Sequence, residues 1–154
     1  MIVVRPPSDE PGPRETRDKI TVTPKGGIEG DKWACSEERL LGAQVSLINV
    51  HVLRSLAESD DRMSLAGDNL IVDLELSEAN LPPGTVLRVG SVMLEVSEVP
   101  HEPCDRFKDR YGKTAAKKVG RANRTGKRGR GVMTRVLEAG EIKTGDGIIV
   151  VRQS

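Results

Sequence analysis

The chain has 154 residues, with 24 Lys and Arg against 23 Asp and Glu and a net charge of +1. That length suits one domain that buries its own core without a metal or disulfide staple, and a near-neutral chain points to no nucleic-acid or membrane partner by net charge alone. Two cysteines, Cys35 and Cys104, are too few and too far apart for a disulfide framework, and no apolar run nears the roughly 20 residues of a membrane helix.

The first residues lack the basic and long apolar regions of a signal peptide, so the expectation is a soluble cytoplasmic protein. Residues 5–17 (RPPSDEPGPRETR) are proline-rich and charged and read as a loop. This leaves an N-terminal loop region over 1–17 and a single domain over 18–152. Ile20 to Thr23 has strand character. Lys25 to Asp31 gathers three glycines, which suits a turn or a ligand-facing loop. Gln44 to Ile48 reads as a strand. Asn49 then reads as the N-cap of a short helix, because Val50, Leu53, Leu56 and Ala57 follow at helical spacing.

Gly67-Asp68-Asn69 is a turn before a strand over Leu70 to Val72. Thr85 to Val89, Gly90-Ser91 and Val92 to Ser97 have the composition of a hairpin with a two-residue turn. Pro100 to Pro103 lead into a loop carrying Cys104. Thr114 to Val119 reads as one or two helical turns with Thr114 as N-cap, and residues 120–131 are rich in Gly and Arg without periodicity. Val132 to Leu137 and Ile148 to Val151 complete the strands. Many short strands separated by turns predict a mainly β fold, a closed β-barrel or a sandwich, with one or two short helices.

Twelve of the 24 basic residues lie between Cys104 and Arg135, opposed there by Asp105 and Asp109. The stretch is a candidate anion-binding surface or, alternatively, a solvated, mobile basic loop. A nucleic-acid module is disfavoured, because small barrels that bind single strands use aromatic platforms as well as charge. Trp33, Phe107 and Tyr111 are the only aromatic residues here. Cys104 is flanked by His101, Arg106 and Lys108, and nearby positive charge favours thiolate. The competing reading is a buried, inert thiol. His101 and Cys104 have H-x-x-C spacing without the second pair of a zinc site, and His51 reads as an exposed helix residue.

Three groups of segments carry a family likeness. The first is Gly27-Ile28-Glu29-Gly30-Asp31 with Gln44 to Ile48. The second is Ala66-Gly67-Asp68-Asn69-Leu70, Leu81 to Gly90 and Leu94-Glu95-Val96. The third is Pro103-Cys104 with Phe107, Arg130 to Val136 and Gly140 to Asp146. In this order they resemble a MOSC domain, the C-terminal domain of molybdenum-cofactor sulfurases, over about residues 20 to 151.

The resemblance implies a closed barrel like the barrel domain of pyruvate kinase. It also implies a role in molybdenum-cofactor or sulfur chemistry. Cys104 would then be the catalytic residue and the metal ligand, or a persulfide carrier. Asp31, Asn69, Arg106, Arg130 and Gly131 would contact molybdenum cofactor (molybdopterin). Some relatives reduce N-hydroxylated compounds with separate electron-transfer proteins, so an electron-transfer or sulfur-donor protein is the expected partner. Pyridoxal phosphate belongs to a fused domain of the sulfurases and is not expected here. The alternative function is a non-catalytic module that uses residues 106–135 to bind nucleic acid or another anionic ligand. One departure from the family pattern is Lys32-Trp33, where relatives often carry a histidine.

Overall fold

The computed structural model describes residues 1–7 and 14–152. Eight strands make one curled sheet. In chain order they are β1 (Ile2–Val4), β2 (Glu15–Arg17), β5 (Val45–Asn49), β6 (Leu70–Val72), β7 (Val86–Val89), β8 (Val92–Val96), β9 (Val132–Glu138) and β11 (Ile148–Val151). Their spatial order is β11-β7-β8-β9-β5-β6-β1-β2, antiparallel except for the β5–β6 pair. A second, three-stranded sheet sets β3 (Lys19–Thr23) between β10 (Gly140–Lys143) and β4 (Gly27–Ile28).

The two sheets enclose one core. Ile20, Val22, Ile28 and Ile142 of the small sheet pack with Val45, Leu47, Leu87, Leu94 and Val136 of the large one. Alternation along β7, β8 and β9 turns every second side chain inward, as a pleated strand with one wet face requires. In β5, Val45 to Ile48 are all buried, because this strand has a core on each side. Ile48 faces a smaller cluster with Val3, Leu53, Met63 and Ile71, under α1 (Val50–Leu56) and the 3-10 turn Asp60–Ala66.

Asn49 caps α1 as its sequence context predicts, accepting from the amides of His51 and Val52. The predicted hairpin is present, with Val89 opposite Val92 and Gly90 at φ +57°.

The barrel, however, is not closed. The large sheet ends at β11 on one side and β2 on the other, and the chain leaves it after β9 to join the small sheet as β10. Strand count and alternation are the same for a closed barrel and for two curled sheets. Which edges hydrogen-bond is a long-range matter.

The region read as an N-terminal loop supplies β1 and β2. Ile2, Val3 and Val4 are buried, and β1 pairs with both β2 and β6. Helix content also exceeds one or two short helices: among the described residues there are three α-helices and three 3-10 turns. The loop assigned to Cys104 opens α2 (Asp105–Tyr111). The turn predicted from Thr114 is α3 (Lys113–Arg124), whose N-cap residue is Gly112, not Thr114, and which continues into the stretch read as aperiodic. Phe107 and Tyr111 are the only apolar residues of α2, too few to show a period. In α3 the buried positions are the small Ala115, Val119 and Gly120, and a glycine inside a helix argues against one. The basic stretch is therefore largely helical rather than a mobile loop.

No helix among the described residues is long and apolar enough to cross a membrane.

Candidate functional site

A cavity of about 280 Å³ opens between the start of α2, the turn after the 3-10 segment and the mouth of the large sheet. Cys104 is the N-cap residue of α2 and its thiol is free and exposed. The placement of α2 follows from its packing. Phe107 is buried and lies 5.0 Å from the Tyr111 ring, Tyr111 Oη donates to the Arg62 carbonyl at 2.6 Å, and Arg110 Nη1 donates to the Leu65 carbonyl at 2.6 Å. Burial pushes the Tyr111 hydroxyl up to about 12, so it stays a neutral donor.

Six cations line this cavity: Arg5, Arg14, Lys32, Arg106, Arg110 and Arg130. Their crowding is visible in their protonation. Burial, and then Arg5, Arg14 and Arg106, lower the Lys32 ammonium. Burial, then Arg110, Arg5 and Arg106, bring Arg14 down to about 10. An anion placed among them relieves both desolvation and mutual repulsion. Inorganic phosphate is accordingly expected to raise the melting temperature through binding linkage. A thermal-shift titration checks this, and the rise should shrink in Lys32→Gln; equal shifts in both proteins would place phosphate elsewhere.

Two buried carboxylates hold the cationic wall. Asp31 accepts from the Arg5 amide (2.9 Å), from Arg5 Nε (3.2 Å) and Nη2 (2.8 Å), and from the Trp33 amide (3.1 Å). Burial pushes its carboxyl up, but the Arg5 contacts outweigh burial and leave it below the usual range. Asp68, fully buried, accepts from Arg130 Nη1 and lies 2.7 Å from His101 Nε2. Burial raises the Asp68 carboxyl, yet the Arg130 charge and then His101 bring it down to about 2. Arg130 also donates to the Ala66 carbonyl (3.1 Å) and lies 4.8 Å over the Phe107 ring, while its Nε is buried without a hydrogen-bond partner.

The residues singled out from the sequence divide into two groups. Cys104, Arg106 and Arg130 line the cavity. Asp31 and Asn69 are outside the lining but tied to its Arg5 by hydrogen bonds, and Gly131, next to Arg130, lines a neighbouring recess. Asn69 Oδ1 accepts from the amide and hydroxyl of Ser46, and its Nδ2 donates to the Val3 carbonyl and to Asp31 Oδ1, so its hydrogen-bonding capacity is used within the protein. Gly131 has φ +103°, and a Cβ there would overlap the Leu47 carbonyl oxygen.

Arg135 lies away from the cavity, 3.3 Å from Glu95 across the β8–β9 pair. Trp33 is core, donating Nε1–H to the Leu40 carbonyl. His51 is exposed beside Asp73 at 2.9 Å. Lys32, of the Lys32-Trp33 pair that follows the Asp31 turn, is part of the cavity wall. Sequence reasoning missed Arg5, Arg14, Lys32 and Arg110 as wall residues, and the Arg130–Asp68–His101 chain. Only the Asp68 turn and the basic bias around Cys104 hinted at them, because the contacts span 26 to 62 positions.

A family model described as the MOSC domain matches residues 20–149. Among solved structures, YiiM from Escherichia coli is 19% identical with a TM-score of 0.61, over 99% of this chain and 67% of that one. The YUAD protein from Bacillus subtilis is 18% identical with a TM-score of 0.64, over 96% and 91%. YiiM from Geobacillus stearothermophilus is 17% identical with a TM-score of 0.63, over 98% and 73%. At these identities the likeness is one of fold. No curated protein matches the sequence.

Proposed function

The chain belongs to the MOSC domain family, and from that premise we propose that it binds molybdenum cofactor in the Cys104 cavity and uses the cysteine thiolate as a metal ligand. The observation that carries this reading is a free, exposed cysteine on a cavity lined by six cations. The donor set fits the group. A pterin cofactor brings its own dithiolene sulfurs and a phosphate, so it asks the protein for a thiolate and a cationic seat. Arg5, Arg14, Lys32 and Arg106 would hold the phosphate, in the manner of charge-assisted arginine contacts. Arg130 offers an Nε–H that the fold leaves unsatisfied. Once bound, the cofactor would supply two-electron chemistry, of which reductive removal of an N-hydroxyl group is the instance suggested by the family.

The role of this chain's own residues would be orientation and charge. Asp31 and Asp68 would keep Arg5 and Arg130 aimed at the cavity. His101, which lines the cavity and is held 2.7 Å from Asp68, would be available to pass a proton.

Metal and pterin analysis of protein purified without oxygen, from a host that makes the cofactor, tests the reading. Near-stoichiometric molybdenum in the wild type and its loss in Cys104→Ala are expected. Equal molybdenum in both would remove Cys104 as a ligand. Molybdenum in neither, with one added sulfur atom on Cys104 by mass spectrometry, would make the protein a sulfur carrier.

A further inference from the structure

A second, larger recess of about 740 Å³ lies between α2 and α3, and its lining shares only Glu102 with that of the Cys104 cavity. Pro103, Ala116 and Gly120 give it a floor of short side chains. Lys108, Lys113, Lys117, Arg121 and Arg124 give it a rim of five exposed cations. None of the five has an ion pair among the described residues. Glu102, the carboxylate of the lining, accepts instead from Asn123 Nδ2 at 3.0 Å.

The helix that bears the recess is built against its own stability. Lys113, Lys117 and Arg121 follow one another at four-residue spacing, where like charges stand one turn apart and repel. Lys113 adds a cation at the positive end of the helix dipole, and no acidic residue in the first turn offsets it. Gly120, inside the helix, is the residue that a helix interior tolerates least after proline. Neither backbone strain nor crowding requires it. Its φ lies outside the left-handed region, and a Cβ there would stand 3.6 Å from Arg124 Nη1 and 4.0 Å from Pro103 Cγ, ordinary contact distances to two side chains. The missing side chain does leave depth beneath the cations. Charge and space kept together at a cost to the helix fit an anion seated between them.

Size and charge select among anions. A volume of this order seats a small molecule rather than a single ion. Five cations less Glu102 leave four positive charges in the lining, and three linked phosphates carry about four negative ones at neutral pH. At helical rise the row from Lys113 to Arg121 is about 12 Å long, room for several phosphates in line. No aromatic residue lines the recess, so stacked nucleobases have no platform. None of the exposed large apolar side chains lies there either, so a lipid surface has nothing to insert.

We propose that the α2–α3 recess binds a chain of linked phosphates, carried by free inorganic polyphosphate or by a nucleoside triphosphate. The five cations hold the phosphate oxygens, and Gly120 makes the room. The site is separate from the Cys104 cavity and does not depend on cofactor binding there.

Isothermal titration calorimetry with tripolyphosphate and with ATP, in buffer free of divalent cations, tests this. Tripolyphosphate is expected to bind about tenfold or more tightly than inorganic phosphate, because its linked groups engage several cations at once. ATP bound more tightly still makes the nucleotide the source, and equal affinities make the phosphate chain the whole of what is recognised. Lys113→Gln/Lys117→Gln/Arg121→Gln should weaken tripolyphosphate about tenfold or more, whereas Lys32→Gln, in the Cys104 cavity, should leave it unchanged. Gly120→Leu keeps every charge and fills the floor. It should weaken binding by a similar factor with a melting temperature no lower than that of the wild type, since leucine is the better helix former.

Tripolyphosphate bound no better than phosphate would overturn the proposal, as would wild-type affinity in the triple variant or a loss confined to Lys32→Gln. Wild-type affinity in Gly120→Leu would place the phosphates on an open charged surface and overturn the recess as their seat. A duplex oligonucleotide or phosphatidylserine vesicles held more tightly than tripolyphosphate at physiological salt, and released by the triple variant, would replace the small ligand with a macromolecular one and overturn it too.

Discussion

Replacing Asp68 with Ala is expected to destabilise the protein by about 3–5 kcal/mol, the usual result of leaving one member of a buried ion pair without its partner. Arg130 is buried, and Asp68 is its only acidic partner among the described residues. Loss of the carboxylate strands the guanidinium under the cavity and releases His101. At about 2–4 °C per kcal/mol for a chain of this size, the melting temperature should fall by roughly 6–20 °C. Urea or thermal unfolding measures it, and a loss below about 1 kcal/mol would show that the pair does not anchor the cavity wall.

The acid limb of the same experiment has a defined sign. The Asp68 carboxyl is held at about 2 in the folded protein against an ordinary value of 3.8. A depressed folded-state value contributes stability that is complete above the ordinary value and lost as pH falls from about 4 towards 2. Asp31 shifts in the same direction. Wild-type stability should therefore drop over that window, and Asp68→Ala should drop less steeply, retaining only the Asp31 share. Parallel curves would contradict the assignment.

Gly131→Ala is expected to be comparably damaging, by about 3 kcal/mol or more, for two reasons that add. At φ +103° an alanine is strained by roughly 1–3 kcal/mol. Its Cβ would also occupy the space of the Leu47 carbonyl oxygen, which belongs to the central strand β5 and cannot swing away as a side chain could. The displacement would run into Arg130 on one side and Val132, at the start of β9, on the other. Reduced phosphate binding is expected along with the lower melting temperature. Alanine at Gly145 is the control, since it shares a positive φ of 94° but has nothing within 4 Å of the added carbon. Equal losses at the two positions would mean that strain alone, not the close approach to β5, accounts for the effect.

The sequence by itself determined the local elements whose signals are local. The Gly90-Ser91 hairpin, the Asn49 cap and the buried alternation of β7 to β9 rest on two-residue periodicity, turn chemistry and a short polar side chain next to its own helix. The family likeness was equally legible, because it lies in ordered short segments such as Gly67-Asp68-Asn69 and Pro103-Cys104. Of the residues that the likeness implies, the fold brings Cys104, Arg106 and Arg130 to one cavity.

Tertiary structure alone decided the rest. Whether eight strands close on themselves depends on edges far apart in the chain, and here β2 and β11 stay apart. The N-terminal residues, unremarkable beyond three apolar side chains, became a buried strand because β6 offered a free edge. Arg5 joined the cavity because Asp31, 26 positions on, holds its guanidinium, and Arg130 because Asp68 lies 62 positions before it. Asn69, by contrast, is drawn inward by its hydrogen bonds to Ser46 and Val3. Charge pairing in a low-dielectric interior is strong but carries no sequence period, so the partners of a buried cation are visible only once the chain has folded around it.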